Sequence, residues 1–410
     1  MKPVSIAAFL SGLFAVILAA SPATIAAAQG QPRTAPPPDT GFCPQVKNPS
    51  ARQICLTARG EYYMGRYVLS LGLMQKAFAA SPKEPVLRLE VARIMMRVEA
   101  AAQAERELRQ ARQEGARDQD TLPLLFAAMM EKHEEVTLLN EFPEPAPSAK
   151  GEVPAVILQG RAMALRSSGS LAEAAAAMDR SLSLNRTPGG LLIRADIAAK
   201  QKDAALARKL VDEAYGLAPT NSPVMTAKLE QLVESDDMPG VLALSDRMQK
   251  LYPINSTPRE CKIRIFLKHN MDAKANAEVS SYMMLRPKSG VMLYYKALLK
   301  SRAHDKKGAS EIVMTLPGDF VKSHPEFAVQ MARIVRDDGH VEAGSAILGK
   351  ALGAAPDLLE VRLQLVMLRL EQNSPQSAML LLSPVQDSRD PQVQNLITKV
   401  RARIAKDRAF

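Results

Sequence analysis

The sequence repeats itself with a period of about 34 residues, and no other feature constrains the fold as strongly. Pro219, Pro253 and Pro287 are equally spaced at this step, and each ends a similar run of sequence. A second ladder keeps the same step with basic residues: Arg194, Lys228, Lys262 and Lys296. Such a period, with two amphipathic helices in each repeat, is typical of a solenoid of helical hairpins. The sequence therefore predicts an all-α architecture and an activity of the binding class.

The length of the chain is compatible with a solenoid, and its net charge indicates the kind of partner it could bind. The 410 residues would ordinarily suggest two or three globular domains, but each repeat of a solenoid needs only its neighbours. Aromatic residues make up 4% and Trp is absent, so the core must be built mainly from Ala, Leu, Val and Met. The net charge of +10 favours anionic partners such as acidic glycans, lipid head groups, acidic peptides or nucleic acid. The alternative is a solvated basic surface without an anionic ligand.

One spacing of small and apolar residues recurs along the chain. It appears in the first predicted hairpin as Gly65, Tyr67, Ser70, Met74, Ala77 and Pro82. It returns near the C-terminal end as Gly339, Val341, Gly344, Leu348, Ala351 and Pro356. With the glycine replaced, it is also found as Lys202, Ala204, Ala207, Val211, Ala214 and Pro219. This spacing resembles the second half of the tetratricopeptide repeat (TPR), although the Trp, Leu, Gly and Tyr typical of first helices are mostly missing.

The resemblance implies a right-handed TPR-like helical-hairpin solenoid over nearly all of the mature chain. We predict hairpins at about 51–82, 84–116, 155–187, 190–219, 223–253, 257–287, 289–317, 325–356 and 357–388, an incomplete pair at 118–142 and a lone closing helix after Pro391. The predicted organisation is a signal peptide (1–28), a Pro-rich linker (29–50), an N-terminal TPR-like block (51–142), a second Pro-rich linker (143–154) and a C-terminal TPR-like solenoid with the closing helix (155–410).

The N-terminus has the layout of a secretory signal peptide. Lys2 is followed by an uncharged apolar run from Val4 to Ala20, and small residues lead to Ala26–Ala28. This order favours cleavage after Ala28 and a periplasmic or secreted location. Left uncleaved, the run approaches the length that spans a bilayer and would anchor the chain. No other segment has that character, so we expect the mature chain to be soluble.

Export would allow the cysteines to pair. Cys43 and Cys55 stand close together in the sequence, on either side of the entry to the first helix. A bridge between them would contribute about 3 kcal/mol by restricting the unfolded chain; the alternative is a pair of free or metal-linked thiols. Cys261 lies inside a helical pattern and is expected to be a small core residue.

The sequence offers no catalytic, cofactor or metal motif. The five His residues are scattered, and no two have the spacing of metal ligands on a helix. The stretch Gly344–Ala351 resembles a phosphate-binding loop, but Ala351 has no hydroxyl for magnesium and no strand precedes the loop. We therefore predict a non-catalytic protein without cofactor or metal. An enzyme with an unrecognised site, such as a glycan hydrolase with paired carboxylates, is the alternative.

In TPR proteins the first helices of successive hairpins line a groove, and here those helices are rich in basic residues. The predicted binding residues are Arg59, Arg93, Arg97, Arg166, Lys200, Arg264, Lys268, Arg302, Arg333 and Arg336. By resemblance to TPR domains that clamp a peptide carboxylate, they could hold carboxylates or uronic acids through parallel hydrogen bonds. The ladder from Arg194 to Lys296 lies about 200° around the helix from Arg264 and its equivalents. In this register we expect its stems to pack inside the repeat while its charges reach water; a register shifted by one residue would bring the ladder closer to the groove.

These features predict an exported bacterial TPR scaffold that holds partners of an envelope machine together. Its basic groove would suit the export or assembly of an anionic polysaccharide. The expected partners are envelope proteins, with acidic polysaccharide or peptide carboxylates as further ligands; the membrane is reached only through an uncleaved signal segment. The alternatives are a periplasmic holdase or adaptor for secreted proteins and the glycan hydrolase. Nucleic acid fits the charge but not the export, and is not expected as a partner.

Overall fold

A computed structural model describes residues 41–63 and 66–407 of the chain. The predicted signal peptide, residues 29–40 of the predicted linker and the turn residue Gly65 lie outside this range. The chain divides into two compact units, and the boundary lies between Ile265 and Phe266.

The described residues form α-helices joined by short turns, and no strand occurs among them. The helices of the N-terminal unit are α1 (Pro49–Tyr63), α2 (Tyr67–Ala80), α3 (Pro85–Met96), α4 (Ala101–Gln113), α5 (Asp118–Glu131), α6 (Glu135–Glu141), α7 (Glu152–Ser167), α8 (Leu171–Leu184), α9 (Pro188–Lys200), α10 (Ala204–Leu217), α11 (Ser222–Glu234) and α12 (Met238–Leu251). Helix α13 (Thr257–Lys268) spans the division between the units. The C-terminal unit continues with α14 (Asp272–Leu285), α15 (Gly290–Arg302), α16 (Lys306–Met314), α17 (Phe320–Ser323), α18 (Ala328–Asp337), α19 (Val341–Ala354), α20 (Leu359–Glu371), α21 (Pro375–Leu382) and α22 (Pro391–Asp407).

The helices pack in consecutive pairs, which we call the first and second helix of each pair. Strong contacts join α1 to α2, α3 to α4, α7 to α8, α9 to α10, α15 to α16, α18 to α19 and α20 to α21. Within a unit, the first helix of one pair also contacts the first helix of the next pair. Helix α3 contacts α5 in this way, and α9 contacts α11. These pairs follow the predicted hairpins, and the incomplete pair is α5 with the short helix α6. The all-α, TPR-like hairpin architecture predicted from the sequence is thus confirmed.

Helix starts explain why the period is so regular. At the start of several helices, the side chain of the residue before the helix accepts a hydrogen bond from a backbone N–H of the first turn. The capping residues are Thr187, Asn221 and Ser289 for first helices and Asp203, Asp237 and Asp305 for second helices. Such side chains satisfy amides that have no partner within the helix, and each contributes about 1 kcal/mol. The turn before the second helix repeats as well, with positive φ at Lys202, Asp236, Asn270 and His304. Successive members of each set are separated by one or two whole periods of the sequence.

Packing continues across the predicted second linker. No helix lies between Glu141 and Glu152, but α6 and α5 both contact α7. Phe142 is buried there, and its ring meets that of Phe126 edge-on with centroids 4.8 Å apart. The Phe126 ring also fills the space beside Gly160, where a Cβ would lie 2.3 Å from its Cδ2 atom. Whether residues 143–154 separate two folding blocks stays a prediction.

The C-terminal unit departs from regular hairpins at one place. The short helix α17 and a 3-10 turn at Pro325–Phe327 precede the first helix α18. They carry an aromatic cluster in which Phe327 stacks on Tyr294 at 4.2 Å. Phe320 and Phe327 are buried by this arrangement. The aromatic side chains thus hold an irregular insertion against α15.

Helix α22 packs against the preceding pair, α20 and α21. Its buried side chains are Val393, Leu396, Ile397 and Val400, and they pack with Leu363, Val366, Ala378 and Leu382. Lys399, Arg401 and Arg403 on its outer side are exposed. A solenoid needs such a polar outer face at its ends because its last repeat has no neighbour to cover it.

Candidate binding surface

The predicted groove residues lie on the first helices, but most of them face other residues of the chain. In the N-terminal unit, Arg59 on α1 and Arg93 on α3 are only 2% and 3% exposed. Both guanidinium groups approach the fully buried Glu90, at 3.4 Å for Arg59 and 3.7 Å for Arg93. A buried carboxylate between two buried arginines is an internal charge cluster, so these two arginines are closed to an external ligand.

The chain's own N-terminal segment covers this cluster. The backbone N–H of Phe42 donates to Glu90 at 2.7 Å, and the Phe42 ring lies 4.9 Å from the guanidinium carbon of Arg93. A disulfide joins Cys43 to Cys55 on α1, with Cα atoms 5.6 Å apart and both residues buried. The segment 41–48, which we call the leader, is therefore part of the folded N-terminal unit.

Glu84 holds the other end of the leader. Its carboxylate accepts the backbone N–H groups of Lys47 at 2.5 Å and Asn48 at 2.9 Å, and the Ser81 hydroxyl at 2.8 Å. Burial opposes ionisation, but the hydrogen bonds from the Asn48 and Lys47 amides and the Ser81 hydroxyl, with the charge of Lys47, together lower the pKa of Glu84. The carboxylate in its charged form thus fixes the entry of the chain into α1.

Three further predicted residues pair with an acid of a neighbouring helix. Arg166 contacts the fully buried Asp196, Arg264 donates to Glu230 at 2.5 Å, and Arg302 donates to Asp272 at 2.8 Å. The Arg166–Asp196 pair is the most buried of the three, and removing one partner of such a pair leaves an uncompensated charge, whereas the Arg302–Asp272 pair is partly exposed. Asp196 and Glu230 lie on first helices, so the first-helix surface is not uniformly basic.

The remaining predicted residues keep more of their surface in solvent. Arg97 is half-buried and donates to the Tyr67 hydroxyl at 3.2 Å, while Lys200 is half-buried and Lys268 is exposed. In the C-terminal unit, Arg333 is 55% exposed with Asp337 4.0 Å away, and Arg336 is 37% exposed with Glu371 3.8 Å away. Loose exposed pairs like these exchange partners at little cost, so Arg333 and Arg336 can contact a ligand without unfolding anything.

An aromatic cluster at the first turn was not predicted. Tyr62 lies 5.6 Å from Tyr63 and 5.3 Å from Tyr67, and the Arg59 guanidinium lies 5.0 Å from the rings of Tyr62 and Tyr63. The three tyrosines are half-buried, and burial raises the pKa of Tyr62. Three of the chain's eight tyrosines thus lie together where α1 is followed by α2. Their closeness in the sequence is the signal that could have predicted this cluster.

The second basic ladder has a separate role. Arg194, Lys228 and Lys262 each pair with an aspartate on the preceding second helix, respectively Asp179 at 2.7 Å, Asp212 at 2.5 Å and Asp246 at 2.6 Å. Arg194 and Lys262 are buried along their stems while the aspartates are exposed. The ladder therefore lies inside the repeat with its charges at the surface, as its phase indicates. At the next step the aspartate position is Ser280, and Lys296 is exposed.

We expect the ladder pairs to contribute little to stability. In a double-mutant cycle of Lys228→Met and Asp212→Ala, the coupling energy should be about 1 kcal/mol or less, because the Asp212 carboxylate is half exposed to solvent. Chemical denaturation of the four proteins measures it. A coupling well above this value would show that the Lys228–Asp212 pair acts as a buried one. Asp212 also accepts from Gln231 at 3.0 Å, so the single Asp212→Ala change removes a second bond that the cycle cancels.

The described residues also contain a Ser, a His and an Asp in contact. Ser310 and Asp338 lie 3.4 Å and 3.3 Å from His340, beside a cavity of about 410 Å³ between α16 and the turn before α19. Both contacts are to the same ring nitrogen, Nδ1, whereas a catalytic relay needs the serine and the carboxylate on opposite nitrogens. This geometry does not activate Ser310.

Cys261, the unpaired cysteine of the described residues, is a candidate nucleophile or metal ligand only if its thiol can ionise. Cys261 is fully buried, and burial raises the pKa of its thiol well above the ordinary value, so it is a core residue and not a thiolate nucleophile. No cluster of three or more His, Cys, Asp or Glu residues suited to a metal occurs in residues 41–63 and 66–407. None of the helices in this part of the chain is both long and apolar enough to cross a bilayer.

Comparison with known proteins gives similarity of fold alone. No protein-family model matches the chain, and no curated protein matches it. Among solved structures, yeast Tom70 is 15% identical, with 90% of this chain and 91% of that one covered and a TM-score of 0.49. A tetratricopeptide repeat protein from Parabacteroides merdae is 13% identical over 70% of this chain and 98% of that one, with a TM-score of 0.45. Human IFIT1 is 12% identical over 86% of this chain and 95% of that one, with a TM-score of 0.44.

Likeness at this level transfers no partner or activity. The helix pairs, their caps and the regular step between them are properties of this chain itself. On those grounds the described chain is an array of tetratricopeptide-like helix pairs.

Proposed function

We propose that this protein is an exported, non-catalytic scaffold that binds protein partners of the cell envelope. The observation that supports it best is the side-by-side packing of first helices within each unit. Such packing joins their exposed side chains into a surface that offers many shallow contacts. Binding through a surface of this kind suits proteins, whose interfaces are typically about 800 Å² on each side. The buried disulfide supports export, because such bonds persist in oxidising compartments.

An anionic polysaccharide is a further ligand in this proposal, and Arg333 and Arg336 are the residues best placed to hold it. On α18, Arg333 is exposed and Arg336 is partly exposed, and their acidic neighbours lie 4.0 Å and 3.8 Å away. Salt-sensitive binding to an acidic glycan, without binding to unfolded polypeptide, would support this role over that of a holdase. Turnover of a glycan that is lost on changing one Asp or Glu would instead support the hydrolase.

We expect Arg333→Glu/Arg336→Glu to reduce partner recovery by about tenfold or more, since each change turns an attraction into a repulsion. The measurement is crosslinking and pull-down of the mature protein from its own envelope fraction. Lys306→Glu/Lys350→Glu is the matched control, because it changes the same charge at exposed positions on the second helices α16 and α19. Unchanged recovery with Arg333→Glu/Arg336→Glu, or an equal loss in both variants, would remove α18 from the proposed surface.

A further inference from the structure

The leader occupies a site whose shape selects glycine. Gly41 has φ +57°, a left-handed conformation that side chains disfavour. A Cβ at this position would lie 2.2 Å from the Oε1 atom of Glu90 and 3.1 Å from the Nε atom of Arg59. Because Glu90 is fully buried and already hydrogen-bonded, it cannot swing aside at low cost. Only glycine fits between these two side chains.

The next residue is selected through both its backbone and its ring. The Phe42 amide donates to the same Oε1 atom of Glu90, at 2.7 Å. Its ring lies against the Arg93 guanidinium, a cation–π contact that is worth more where water is excluded. Phe42 is 2% exposed, so the contact is a desolvated one.

The walls of this site come from the helix scaffold and are held by residues outside the leader. Arg59 lies on α1, and Glu90 and Arg93 lie one turn apart on α3. Arg59 donates to the Tyr63 hydroxyl at 2.7 Å and lies against the rings of Tyr62 and Tyr63. A site supported in this way on two helices is preorganised for its occupant.

We propose that Arg59, Glu90 and Arg93 form a binding site for a glycine–aromatic turn of a peptide. The chain fills the site with its own Gly41–Phe42, and the Cys43–Cys55 disulfide makes that occupancy permanent. The link acts by keeping the occupant at a high effective concentration. Cys43 and Cys55 are both buried, so an external thiol can reach their disulfide only after this part of the structure opens locally.

The test empties the site in the full-length chain and offers the occupant back as a free peptide. Cys43→Ser/Cys55→Ser removes the link, and Gly41→Ala in the same chain adds the clash with Glu90. The probe is a peptide of residues 41–48 with Ser in place of Cys43, labelled at its C-terminal end. We expect saturable fluorescence anisotropy with this triple variant, and affinity about tenfold or more weaker for the same peptide with Ala in place of Gly41. The oxidised wild-type chain should bind neither peptide. Equal affinity for the two peptides, or none for a folded triple variant, would overturn the proposal.

Hydrogen exchange of the Phe42 amide gives a second measurement that needs no added peptide. With Cys43→Ser/Cys55→Ser alone, this amide should stay protected, because the site still holds Gly41–Phe42. Adding Gly41→Ala should cut its protection by about tenfold or more. Gly115→Ala is the matched control: Gly115 also has positive φ, but nothing lies within 4 Å of the added Cβ. If the serine double variant already loses protection at Phe42, the disulfide alone holds the leader and no site exists.

Discussion

Replacing Glu90 with alanine is expected to lower the free energy of unfolding of the N-terminal unit by about 3–5 kcal/mol. The carboxylate is fully buried, and Arg59 and Arg93 beside it are almost as inaccessible. Without it, two guanidinium groups remain in a low-dielectric interior with no anion opposite them, and the Phe42 amide loses its acceptor. We expect the loss of the carboxylate to affect Arg93 more than Arg59, because the Nε and Nη1 atoms of Arg93 already lack hydrogen-bond partners.

Helical arrays need not unfold in one step, so the measurement should resolve the N-terminal end. Hydrogen exchange of α1 and α3 amides under native conditions does this. The matched variant is Glu107→Ala, which removes a partly exposed acid that pairs with Arg88 at 2.6 Å and should cost less than about 1 kcal/mol. Similar losses for Glu90→Ala and Glu107→Ala would mean that the internal charge cluster is as hydrated as the surface.

Replacing Phe126 with alanine is expected to cost about 3–5 kcal/mol, the usual range for a buried aromatic ring. Phe126 is 1% exposed, and its ring packs against both Phe142 and Gly160. Its loss would leave a cavity between α5, α7 and the segment that joins them. Denaturation followed by circular dichroism, with exchange of α5 and α7 amides, measures the effect. A cost below about 1 kcal/mol would show that the neighbouring side chains close the cavity.

The contact between the Phe126 ring and Gly160 can be tested directly with a substitution at position 160. In the wild-type chain, Gly160→Ala should cost about 1–3 kcal/mol, because the new Cβ meets the Phe126 ring. In the Phe126→Ala chain the obstruction is gone, and Gly160→Ala should instead stabilise by up to about 1 kcal/mol through helix propensity. Gly72→Ala on α2 is the control, since nothing lies within 4 Å of its added Cβ; it should stabilise both chains equally. The absence of coupling between positions 126 and 160 would contradict the packing described for α5 and α7.

The fold was predictable because its determinants are local and repeated. The prolines after Ala218 and Tyr252, the caps and the turn residues all act within one hairpin. A single sequence therefore samples the same rule several times, and the shared step identifies it even where individual repeats are poor matches. The position of the ladder from Arg194 depends on the same repetition, because its phase on the helix follows from its position in the repeat.

The candidate site was less predictable because it depends on contacts between repeats. The predicted basic groove was based on the Arg and Lys residues of the first helices. It left out the Asp and Glu residues that occupy equivalent positions on those helices. Asp196, Glu230 and Arg264 follow one another at intervals of one period, and that pattern would have indicated ion pairs between neighbours. The position of the leader had no such signal. Phe42 and Glu90 are far apart in the sequence, and nothing periodic connects them.

The repeated caps have a consequence for how such a chain changes over evolutionary time. Between Thr187 and Asp305, most helix starts are capped by a side chain of their own hairpin, as at Thr187, Asp237 and Asp305. Met271, which precedes α14, makes no such side-chain bond. A duplication or deletion of one whole repeat would therefore bring along, or remove, its own start and turn instructions. We expect tolerated changes of length in this region to come in whole repeats, whereas an insertion of a few residues inside a helix would shift every downstream contact out of phase.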